Sequence, residues 1–79
     1  MMTKEFIRDL IAQAIDCSVL EVRGDDGQHF DATLVAEAFA DKSRVQRHQM
    51  VYAALGTHMG GNIHALSFKT YTPAEYAAR

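Results

Sequence analysis

The chain has 79 residues and a formal charge of −2, a length that buries only roughly 60% of its unfolded surface and suits one domain with a single thin core over residues 1–79. At 48% apolar and 23% charged it lies outside the disordered and fibrous classes. Its mild negative balance excludes holding nucleic acid by bulk charge, which leaves only a local basic patch for that purpose.

The opening MMTKEFIRDL sets Glu5 and Asp9 among its apolar residues and lacks a signal-peptide core. No run approaches the ~20 apolar residues of a membrane span, so the cytoplasm is the expected location. From Thr3 to Ile15, Phe6, Ile7, Leu10, Ile11, Ala14 and Ile15 recur at four- and three-residue steps, which predicts an amphipathic helix capped by Thr3. SVLEVRG then alternates, Leu20 and Val22 against Glu21 and Arg23, as a strand does. Gly24-Asp25-Asp26-Gly27 is a turn signal, because Gly and Asp tolerate the left-handed conformations of tight hairpins. A second, antiparallel strand follows, with Phe30, Ala32, Leu34 and Ala36 against His29, Asp31, Thr33 and Val35. Phe39 is left to pack as the chain turns into the next helix.

Ser43 lies three residues before Gln46, a capping box that opens a long helix through SRVQRHQMVYAAL. Val45, His48, Tyr52 and Leu55, with Val51 beside them, form its expected apolar face, while Arg44, Arg47 and Gln49 point away. The pattern runs to Leu55 or as far as Met59, and Gly60-Gly61-Asn62 stops it. IHALSFKT resumes alternation as a third strand, which a long helical crossover makes parallel to the second. Thr72-Pro73-Ala74-Glu75 is a second capping box opening a short C-terminal helix. The expected order, α-β-β-α-β-α, is an α+β sandwich: a three-stranded mixed sheet with helices on one face.

One cysteine cannot form an internal disulfide, so a metal site would lean on the four histidines. Cys17 reads as a small buried apolar residue. His58 suits a solvated position at a helix C-terminus, and His48 a half-buried one bonded to backbone. His29 and His64 open neighbouring parallel strands and so share one end of the molecule. By alternation they face opposite sides, and they converge only if the hairpin bends His29 over the edge; from pattern alone they are as well read as two unrelated histidines.

DGQHF at 26–30, FADKSRVQRHQMVYAAL at 39–55 and IHALSFKTYTPAEY at 63–76 resemble, in order and spacing, the BolA family. The resemblance covers most of the chain. It departs at Ala40-Asp41, where the family usually has an acidic residue and Gly, at Gln49, often Arg, and at Tyr76, often Trp. It implies a fold similar to class II KH domains. It also implies that His64, and His29 in the hairpin loop, bind a [2Fe–2S] cluster shared with a monothiol glutaredoxin, whose cysteine and a glutathione thiol supply the other ligands. No cluster is then expected in the isolated protein, a monomer or weak homodimer. The alternative is a DNA-binding stress-response regulator using Lys42, Arg44 and Arg47 around a helix start, although the GxxG loop of KH domains is missing. No catalytic constellation can be named, so an enzyme is not expected.

Overall fold

The computed structural model describes residues 2–59 and 65–79. Helix α1 (Lys4–Ala14) begins where Thr3 accepts the Phe6 N–H on its side chain, and Ile7 and Ile11 are its buried residues. Strands β1 (Val19–Arg23) and β2 (His29–Val35) pair antiparallel, with Val19 opposite Val35 and Arg23 opposite Asp31. A 3-10 turn, Glu37–Phe39, carries Phe39 fully into the core. Helix α2 (Arg44–Leu55) opens on both halves of the Ser43–Gln46 capping box and ends at Gly56, whose φ of 59° is the left-handed value that glycine accepts readily. After a 3-10 turn over Gly56–His58, strand β3 (Ala65–Tyr71) pairs parallel with β2, and α3 (Pro73–Ala78) starts on the Thr72–Glu75 capping box. The sheet order is β1-β2-β3, an α+β arrangement with a mixed sheet. Among the described residues no helix is long and apolar enough to cross a membrane.

Alternation places Phe30, Ala32 and Leu34 on the face of β2 covered by α1 and α2, where they join Ile7, Ile11, Ile15, Phe39, Val51 and Leu55 in one core. Leu20, Val22, Leu66 and Phe68 of the flanking strands pack against it half-buried. Val35 faces the other side, between Val19 and Tyr71 in register, and is nevertheless 1% exposed. Tyr71 and Tyr76 meet there edge to face, with ring centroids 5.4 Å apart.

Two expectations are corrected. The buried face of α2 is not centred on Val45 and Tyr52, which are 65% and 46% exposed, but on Val51 and Leu55 with Met50 and Ala54 beside them. Arg47, expected to point away, turns inward: its side chain is 13% exposed and both terminal nitrogens bond Glu75, at 2.7 and 3.0 Å. A charged residue can occupy that arc because a carboxylate from α3 neutralises it with fork-to-fork geometry. Asp41 adopts a φ of 61°. Asp is among the few non-glycine residues that tolerate the left-handed region.

Gly24 sits where the hairpin closes on the core. A Cβ there would lie 2.5 Å from the His29 carbonyl oxygen and 2.7 Å from Phe30 Cδ1. Gly24→Ala is therefore expected to destabilise by ~1–3 kcal/mol, the usual range for overpacking. Urea melts check this, and an unchanged midpoint contradicts the close approach.

Candidate functional site

The hairpin between β1 and β2 is organised by one side chain. Asp26 Oδ1 accepts the backbone N–H groups of Gln28 and His29, at 2.9 and 2.8 Å, and Oδ2 meets His29 Nδ1 at 2.8 Å. Hydrogen bonds from the His29 backbone, the His29 ring and the Gln28 backbone, in that order of weight, hold the Asp26 carboxyl well below the usual carboxylate range. An ionised carboxylate only accepts, so Nδ1 carries a proton, and in the neutral ring the lone pair is then on Nε2. With the His29 side chain 71% exposed, that lone pair is accessible from solvent. This is the arrangement in which a carboxylate fixes the tautomer and orientation of a metal-binding imidazole. The residues present thus fit one imidazole ligand of a cluster supplied with its other ligands from outside.

His29 occupies the first position of β2, opposite Ala65 in the parallel register and on the face away from α1 and α2. His64, the other expected ligand, lies outside the described residues; β3 begins at the next position. Among the described residues, no three His, Cys, Asp or Glu side chains are grouped so as to hold a metal ion. The remaining histidines are engaged elsewhere. His48 stacks tilted on Phe68, ring centroids 4.5 Å apart, instead of making the expected backbone bond. His58, expected as a solvated cap residue, is half-buried with its ring edge-on to Phe6 at 5.1 Å. Cys17 is half-buried against the core. Burial, then the charge of Asp16, push its thiol up, which keeps it protonated and a poor ligand.

The basic residues divide. Lys42 and Arg44 are exposed, whereas Arg47 is committed to Glu75 and also bonds the Lys42 carbonyl through Nε at 3.1 Å. The cluster of Lys42, Arg44 and Arg47 read from sequence is thus two available cations and one structural clamp. The Arg47 side chain, then the Thr72 backbone N–H, lower the Glu75 carboxyl to about 2 from an ordinary 4.5. A depressed carboxyl contributes stability that is full above its unfolded value and is lost as pH falls through the folded one. Between pH 4.5 and about 2, the melting temperature of Glu75→Gln should fall less steeply than that of the parent; parallel acid limbs contradict the clamp.

Sequence could have pointed to Asp26. An Asp two and three residues ahead of two backbone N–H groups in a Gly-flanked turn is a known capping pattern. Its bond to the imidazole three residues on follows from that turn.

Comparison with known proteins adds the relatives. The family described as BolA-like protein matches residues 9–75. The chain is 40% identical over 77 residues to the acid stress protein IbaG of Escherichia coli strain K12, covering 96% of this chain and 90% of that one. It is similar to the structure of a bolA protein homologue from Coxiella burnetii, with 42% identity, a TM-score of 0.84 and coverage of 98% and 99%. The BolA domain of SufE1 from Arabidopsis thaliana superposes with a TM-score of 0.82 at 37% identity, over 91% of this chain and 93% of that one.

Proposed function

We propose, from the premise that this chain belongs to the BolA-like family, that it is a non-enzymatic partner of a monothiol glutaredoxin, sharing a [2Fe–2S] cluster with it. The observation that carries this is His29, whose Nδ1 is tied to Asp26 at 2.8 Å while the ring stands out in solvent. A side chain with one nitrogen fixed by a carboxylate and the other presented outward is prepared for a ligand that arrives with a partner.

Donor counting supports a shared site. A [2Fe–2S] cluster takes four ligands, and imidazole in place of thiolate raises its reduction potential. This chain supplies His64 and His29 at most, so the glutaredoxin cysteine and a glutathione thiol complete the set. Cys17, with its raised thiol pKa and half-buried position, does not enter it. The chain's own contribution is to present neutral imidazole and to hold His29 in one tautomer. The name of the Escherichia coli relative, an acid stress protein, supports placing this work in a stress response, and the cytoplasm is the compartment proposed for it.

The DNA-binding reading has weaker support, because Arg47 is spent on Glu75 and two exposed cations give only weak affinity with a shallow salt dependence. Coexpression with a monothiol glutaredoxin tests the proposal. A coloured heterocomplex with a visible spectrum distinct from that of the glutaredoxin alone supports it; copurification of neither protein nor cluster overturns it.

A further inference from the structure

We infer that the outer edge of β3 at Phe68–Thr70 is a docking site for an extended peptide segment rich in carboxylates, added to the sheet as a further strand. It does not depend on the cluster reading, since it concerns the other end of β3 and different residues.

Backbone parity comes first. The Ala65 N–H donates to the Gln28 carbonyl at 3.1 Å, and the Tyr71 carbonyl accepts the Ala36 N–H at 3.0 Å. Odd-numbered residues of β3 therefore turn their N–H and C=O groups toward β2, and Leu66, Phe68 and Thr70 turn theirs outward. Because the sheet order is β1-β2-β3, that outward side is an edge. No hydrogen bond to Phe68 or Thr70 from outside the β2 ladder exists among the described residues.

The edge does not face open solvent alone. Phe68, Lys69, Thr70 and Tyr71 form one wall of a groove of about 450 Å³ whose other wall is Lys42, Arg44, Arg47 and His48. Four consecutive strand residues line a groove together only where it runs along the strand's backbone. Its floor is aromatic, from the His48–Phe68 stack. Its charge is one-sided: Arg47 is neutralised by Glu75, while Lys42, Arg44 and Lys69 are exposed and have no carboxylate partner among the described residues.

These features select the occupant. Alternating free donors and acceptors match another polypeptide strand, which supplies both, and strand addition of this kind is a recurrent mode of peptide recognition. A phosphodiester backbone offers acceptors only and leaves the Phe68 and Thr70 carbonyls unmatched. Edge pairing with a second copy of this chain would bring Lys69 and its flanking cations against their equivalents, and edge lysines oppose such pairing. An acidic strand avoids that repulsion and gains charge complementarity at the rim.

Selection of a random heptapeptide display library against the protein provides the probe. Enrichment of sequences that combine Asp or Glu with β-branched or aromatic residues at alternate positions is expected. An enriched peptide should shift the Phe68 and Thr70 amide resonances. N-methylation of its alternate amides, or Lys69→Glu in the protein, should weaken it about ten-fold or more, as loss of backbone pairing or reversal of a rim charge does. Lys69 is exposed, so an unchanged urea melt confirms that the variant is folded. Selected peptides without carboxylates, unmoved Phe68 and Thr70 amides, or indifference to N-methylation overturn the assignment. So does a twelve-residue oligothymidylate that moves the same amides and binds tighter than the peptide, which makes the groove a nucleic-acid site.

Discussion

Leu55→Ala is expected to destabilise the protein by ~2–5 kcal/mol, the range for truncating a buried Leu. Leu55 is fully buried in the last turn of α2 and shares the core with Val51, Leu34, Ile7 and Ile11. Removing it opens a cavity under both helices at once, in a chain too short to hold a second core. The neighbours on either side cannot collapse into the space, because α2 ends at Gly56 and α1 is anchored by Ile7, Ile11 and Ile15 in the same cluster. Tyr52→Ala, by contrast, removes a ring 46% exposed that touches Phe68 edge-on at a centroid distance of 5.6 Å, and its loss should be the smaller. Urea denaturation of both variants checks the ranking. A loss below about 1 kcal/mol for Leu55→Ala, or a larger one for Tyr52→Ala, contradicts the burial described.

Asp26→Asn is expected to leave the hairpin folded and to impair His29 as a ligand. The Asn side-chain oxygen can still accept the Gln28 and His29 backbone N–H groups that Oδ1 accepts now, at 2.9 and 2.8 Å. Its amide nitrogen, however, replaces an acceptor with a donor opposite Nδ1. The imidazole answers by moving its proton to Nε2, the position a metal would need. Loss of an outer-shell carboxylate of this kind costs roughly 10–100-fold in metal affinity. Nitrogen-15 spectra of the isolated protein report the tautomer directly, and the glutaredoxin complex reports the binding. A parent and a variant with the same tautomer contradict the role given to Asp26. A changed tautomer with unchanged cluster binding means instead that His29 is not a ligand.

What could be read from the sequence was mostly local. Thr3, the Ser43–Gln46 box and the Thr72–Glu75 box each act within one helical turn, and all are present in the structure. Strand alternation placed Phe30, Ala32 and Leu34 correctly, because a period of two leaves a one-residue slip no room. The rotation of α2 about its axis was not legible. Val45 and Tyr52 fit an apolar stripe as well as Val51 and Leu55 do, and what decides between them is Glu75, 28 residues beyond Arg47. That carboxylate lets a guanidinium occupy the inward arc and displaces Val45 outward. The groove beside β3 was invisible for a similar reason, since Lys42, Arg44 and Lys69 meet only once α2 has crossed back over the sheet. At the hairpin, alternation marks His29 and speaks only to the face it takes, whereas its support depends on the turn, which brings Asp26 to Nδ1.

Visible circular dichroism of the protein copurified with a monothiol glutaredoxin, with the parent beside His64→Ala and His29→Ala, tests the shared cluster most directly. His64→Ala should change the visible spectrum while leaving the urea melt of the isolated protein intact, and His29→Ala should change it less. Binding of the parent's holo complex should weaken as the pH drops below the ~6.5 of an ordinary imidazole, where protonation competes with the metal, so the parent's spectrum should approach that of the variants. A His64→Ala complex with the parent's cluster spectrum and the parent's affinity for the glutaredoxin contradicts the shared-cluster reading and leaves nucleic-acid regulation as the leading one.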